Sequence, residues 1–231
     1  MPVASVLLRL KNSLKASAGT VVFGMEDGTV SIFGLVLGVA ATTTSSLEVL
    51  VAGASGAAAA AVSMMAGAYL EAETSRDEHA VRQQRLGVEL ASGEPTATLL
   101  SERLSAAGLR APWCGALSRA VQHNAEATKA LLLALEGAPG ARQAPLEQAL
   151  WMLVADFCSA AVPIVPFVLL PIGQARIVSA AITTLLLVAL GIGRARIGHR
   201  GIARTILETV GMGVAAALAG VAIGLFIQRA F

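Results

Sequence analysis

Asp27, Asp156 and Glu208 stand inside long apolar stretches, and two adjacent methionines, Met64 and Met65, stand inside another. An ionisable side chain in such a stretch is costly enough that function is the first reading to weigh. Carboxylates are hard ligands that suit Mg2+, Ca2+ and Mn2+, whereas a thioether favours softer transition metals, with ferrous iron between them. Glu26 beside Asp27, and Met65 beside Met64, widen the candidate ligand set. Each member has a plainer alternative. Methionine on an alanine-rich helix commonly fills a gap, and Asp156 and Glu208 fit protonated acids hydrogen-bonded between helices, or side chains that snorkel to the interface. Asp27 needs a cation, a proton or a basic partner, and the spans as drawn below put no Lys or Arg at its depth.

The elements that would position these groups are membrane helices. Of 231 residues, 55% are hydrophobic and 14% charged, with a mean hydropathy of +0.71, far from the balance of a soluble domain. Spanning takes about 20 mostly apolar residues, and five windows qualify: 20–45, 49–72, 146–170, 175–193 and 203–227. At about 1.5 Å per residue, Asp27, Met64, Asp156 and Glu208 lie about 10, 12, 13 and 8 Å below one face. Residues distant in sequence therefore converge on one level. Pro163, Pro166 and Pro171 should bend or unwind the third span, as beside a pathway. Gly34/Gly38 and Gly220/Gly224 form small-residue steps suited to close helix contacts, including those of a homodimer.

Residues 1–19 resemble a signal peptide only in Ala16-Ser17-Ala18. Their apolar Val3 to Leu10 precedes Lys11 and Lys15, the reverse of a secretory signal. Val6, Leu7, Leu10 and Leu14 at helical spacing, among Arg9, Lys11 and Lys15, read as an amphipathic helix at the lipid interface. Placing the N-terminus inside puts 15 of the 17 Lys and Arg on the cytoplasmic side, as the positive-inside rule requires. The expected organisation is all-α: the interfacial helix (1–19), transmembrane helices one and two (20–72), a cytoplasmic helical insert (73–145) and helices three to five (146–231). In the insert, helix two continues through Leu86, a second helix runs from Pro95 to Ala107, and a third runs from Pro112 to Glu136, stopped by Gly137. The lack of an organelle signal and the alanine-rich composition lean toward a bacterial plasma membrane.

Gly24-Met25-Glu26-Asp27-Gly28, followed by Phe33-Gly34-Leu35-Val36-Leu37-Gly38, resembles the first span of the vacuolar iron transporter family, which includes the plant nodulin-like proteins. Ala61-Val62-Ser63-Met64-Met65-Ala66-Gly67-Ala68-Tyr69-Leu70 is similar to its second span, and Pro163-Ile164-Val165-Pro166 to the kink of its third. The resemblance implies a homodimer moving Fe2+, and often Mn2+, out of the cytoplasm in exchange for protons, with no permanently bound cofactor. It assigns the transport aspartate to Asp27 and the methionine to Met64. In the insert it implies metal collection on Glu78, Glu89, Glu102 and Glu126, with His123 one turn from Glu126. Glu78 with Arg82 is also an ordinary helical pair four residues apart. The insert is poorer in glutamate than in plant and protist members. A pore glutamate of some members falls near Gly56, and one of many bacterial members falls at Ala68. Those losses motivate a second hypothesis, a non-transporting metal sensor or scaffold acting through the insert. No nucleotide loop, zinc signature or nucleophile with its base points to an enzyme, and a pI near 8.8 is no basis for nucleic-acid binding. Cys114 and Cys158 fall in segments facing opposite solvents, so neither a disulfide nor a thiolate metal site is expected.

Overall fold

A computed structural model describes residues 3–91, 96–121, 123–135 and 144–230, less the side chains of 3–7, 89–91, 96, 97 and 125. The described elements are helices: α1 (Val3–Ala16), α2 (Ala18–Thr42), α3 (Ser46–Ala91), α4 (Thr96–Ala106), α5 (Ala111–Val121), α6 (Ala125–Leu135), α7 (Pro145–Leu169), α8 (Ile172–Ile197) and α9 (Ile202–Ala230). Among them α2, α3, α7, α8 and α9 are long and apolar enough to cross a membrane. The chain is thus an all-α polytopic membrane protein. It divides into two compact units, Met1–Leu70 with Gln143–Phe231, and Glu71–Arg142.

In the first unit α2 packs against α7, α8 and α9, and its small residues make this possible. A Cβ on Gly34 would stand 2.7 Å from the Ala216 carbonyl oxygen, and one on Gly38 would stand 2.7 Å from that of Gly220. A Cβ on Gly224 would in turn stand 2.6 Å from the Gly38 oxygen. The two glycine steps therefore close on each other within one chain, so that backbone meets backbone. At the same level Ile32, Val36 and Ala40 of α2 form the apolar core with Val49 and Ala57 of α3, Ala160 and Phe167 of α7 and Ala175 of α8. Leu207, Phe226, Leu185 and Ile177 face outward, each about 70% exposed, as lipid-facing side chains are.

Three local outcomes differ from expectation. Helix α7 stays helical through Pro163 and Pro166, and Pro171 caps α8 instead of lying in the third span. Ser179 Oγ of α8 donates to the Pro163 carbonyl at 2.8 Å and ties α7 to its neighbour there. Helix α8 continues past Gly193 to Ile197, with Arg194 and Arg196 in its last turn, where cations favour the helix dipole. The expected helix from Pro112 to Glu136 is two, α5 and α6. Asn124 Oδ1 accepts from Ala127 N at 3.0 Å and Thr128 Oγ1 donates to the Val121 carbonyl at 2.9 Å, so a polar cap interrupts the apolar periodicity. Pro95 and Gly137 lie outside the described residues.

The second unit has its own core of Leu86, Leu100, Leu104, Cys114 and Leu132. Cys114 is buried and Cys158 exposed, and both are free thiols.

Candidate functional site

The sequence Gly24-Met25-Glu26-Asp27-Gly28 falls in the middle of α2, where one helical turn distributes three different tasks. Gly24 and Gly28 face α7, and a Cβ on Gly24 would lie 2.6 Å from the Met152 sulfur. Glu26 is buried and points toward α8 and α9. Its Oε1 accepts from Arg194 Nη1 at 2.9 Å and from Thr209 Oγ1 at 3.1 Å. Asp27, one residue on, turns into a cleft of about 380 Å3 walled by Phe23, Glu26, Val30, Arg194, Arg200 and Met212 among others. Among the described residues Asp27 has no hydrogen bond or ion pair.

The expectation that no Lys or Arg shares the depth of Asp27 is overturned. Because α8 extends one turn further than its apolar run, Arg194 reaches this level and lines the same cleft. Its charge is taken up by Glu26. A half-buried pair of this kind stabilises chiefly because breaking it strands a charge. Replacing Arg194 by Met should therefore lower stability by about 2 kcal/mol. The double variant Arg194→Met with Glu26→Gln should recover most of that loss in thermal melts of detergent-solubilised protein. Additive losses would mean that the two side chains act independently.

The remaining sequence-predicted residues are dispersed more widely. Asp156 of α7 is fully buried, and a Cβ on Gly28 would lie 2.8 Å from its Oδ1, so it sits against α2 one residue from Asp27. Neither of its carboxylate oxygens has a hydrogen-bond partner. Glu208 of α9 is bound to Arg204 at 3.0 Å and approaches Arg200 at 3.8 Å, at the end of its helix. Met64 and Met65 are half-buried on α3 and do not line the Asp27 cleft, where the thioether is that of Met212. In the second unit Glu78 pairs with Arg82 at 3.1 Å, while Glu102, His123 and Glu126 are exposed. The Glu89 side chain lies outside the described residues. Among the described residues no three His, Cys, Asp or Glu side chains gather closely enough to hold a metal ion together. The two positions where the resemblance looks for further glutamates are packed: a Cβ on Gly56 would strike Leu35, and Ala68 is buried.

Sequence reasoning missed Arg194, Arg200 and Met212 as cleft residues. Met212 was open to the depth arithmetic already applied: it lies ten residues into α9 as Asp27 lies nine into α2, about 15 and 14 Å from their starts.

Over nearly the whole chain the sequence matches a defined protein family. The VIT family profile covers residues 18–225. The chain belongs to the VIT family. Over 163 residues it is 28% identical to a vacuolar iron transporter of Centaurea cyanus, across 69% of this chain and 66% of the relative. Vacuolar iron transporter 1 of Eucalyptus grandis is 27% identical and that of Arabidopsis thaliana 28%, each across 69% of this chain and 65% of the relative. The chain thus spans just under two thirds of these VIT-family relatives' length.

Proposed function

We propose that this protein moves a divalent transition metal, Fe2+ and also Mn2+, out of the cytoplasm past Asp27, in exchange for protons. The observation that carries it is the division of labour at the cleft: Glu26 holds Arg194, Arg200 on the cleft wall reaches toward Glu208, and Asp27 faces the cleft with no hydrogen bond or ion pair among the described residues. A carboxylate at that depth calls for a counter-charge, and a mobile cation supplies it. Membership of the VIT family, and relatives named as iron transporters, supply the metal. Carboxylate oxygen and the Met212 sulfur together suit an ion of intermediate hardness. Met64 and Met65 join Asp27 in this scheme through a second copy of the chain, as a homodimer, since within one chain they stand outside the cleft wall. The N-terminus and residues 73–145 lie on the cytoplasmic side, where exposed Glu102 and Glu126 draw metal toward the membrane.

Purified protein in liposomes should carry Fe2+ and Mn2+ down an imposed gradient, faster than Zn2+, with opposing acidification read by a trapped pH dye. Metal retention equal to that of empty liposomes would refute the transport function.

A further inference from the structure

Among the described residues, Asp156 is the carboxylate with both oxygens buried and neither hydrogen-bonded. Hydroxyls on its own helix and on α2 are already spent. Ser159 Oγ donates to the backbone carbonyl of Asp156 itself at 2.9 Å, and Thr29 Oγ1 to the Met25 carbonyl at 2.6 Å. On α8, Thr183 is likewise fully buried with its hydroxyl unpaired. The bond from Ser179 to Pro163 sets the register of α7 against α8, and one turn along each antiparallel helix brings Thr183 to the level of Ser159. Asp156 and Ser159 of α7 therefore share a buried polar region with Ser179 and Thr183 of α8.

What Asp156 can hold follows from its chemistry. A divalent ion needs several oxygen or nitrogen ligands around it, and a single carboxylate packed against the backbone of Gly28 offers no such shell. A carboxylate with neither donor nor cation in an apolar interior is tolerated as the neutral acid. We propose that Asp156 carries the exchanged proton, as a group distinct from the Asp27 carboxylate that meets the metal. The inference rests on the proposed metal–proton exchange.

The charged groups on the helices packed around Asp156 are Asp27 and Glu26 on α2, Arg176, Arg194 and Arg196 on α8, Glu48 on the part of α3 that belongs to the first unit, and Glu147 on α7 itself. Glu26 and Arg194 neutralise each other, so Asp27 is the group whose state changes during transport. When a divalent ion reaches Asp27, its charge offsets the one that Asp156 would bear once ionised. The O–H bond of Asp156 then breaks and the proton passes to water on the cytoplasmic side. When the ion departs outward, Asp156 takes a proton from water on the far side, and the cycle closes with one proton moved inward through this group.

The test compares wild type with Asp156→Asn in liposomes under a Mn2+ gradient, following metal and protons together. Coupled proton movement should fall to the leak of empty liposomes in the variant, while some Mn2+ still moves downhill. Equal proton-to-metal ratios in the two proteins would overturn the role of Asp156 and leave the exchange standing. Metal movement without protons in wild type would overturn the exchange and Asp156 with it. Infrared difference spectra of wild type on Mn2+ addition supply a second reading. A protonated carboxyl band should disappear, and Asp156→Glu should shift that band; a spectrum without such a band would overturn the assignment.

Discussion

Asp27→Asn is expected to lower metal flux through the protein by at least about a hundredfold. Changes to groups that merely orient a metal ligand cost about 10–100-fold in affinity, so losing the ligand's own charge should cost more. The substitution preserves shape and leaves Glu26 with Arg194 and Thr209, so folding should be unaffected. That separation is informative. Flux measured in liposomes should collapse while the melting temperature stays within a degree or two of wild type. A variant that melts early would instead assign Asp27 a structural role. Asp27→Glu should retain part of the flux, because the charge survives and only its reach along the cleft changes.

Gly220→Val should give the largest loss of stability. A Cβ there would overlap the Gly34 carbonyl group, which belongs to a helix backbone and cannot turn aside as a side chain can. Inserting atoms into a packed contact costs about 1–3 kcal/mol and occasionally more, and two helices pushed apart along a glycine step lose neighbouring contacts as well. A melting temperature lower by about 5 °C or more, with aggregated material in size-exclusion chromatography, is the expected outcome. Gly211→Ala, on the same helix with open space around it, should behave as wild type or slightly better, since alanine favours the helix. If both substitutions were silent, the α2–α9 contact would not be the closure that holds these spans together.

What the sequence makes legible is decided by hydropathy and by depth. The five spans follow from long apolar runs in a chain with few charges, and the level shared by Asp27 and Asp156 follows from the fixed rise of a helix. Helix ends are less legible, and the errors concentrate there. Arg194 looks like a loop residue because the apolar run stops at Gly193, yet helical hydrogen bonding and a buried partner carry α8 on to Ile197. Prolines read as breakers, yet α7 stays helical through two of them while packed against its neighbours. The break between α5 and α6 depends on the side-chain bonds of Asn124 and Thr128, which local apolar pattern conceals. Rotation is the hardest variable of all. Depth arithmetic places Glu26 and Asp27 together, but only the packing of α8 and α9 decides that the first meets an arginine and the second a cleft. The same applies to the methionines: Met64 shares the calculated depth, while the sulfur that lines the cleft belongs to Met212.

Anomalous X-ray scattering from crystals grown with Mn2+ addresses the role of Asp27 most directly, because it locates the ion without reference to flux. A peak within coordination distance of the Asp27 carboxylate, with Arg194 still turned to Glu26, is the expected result. An ion bound elsewhere, with Arg194 swung across to neutralise Asp27, would contradict it.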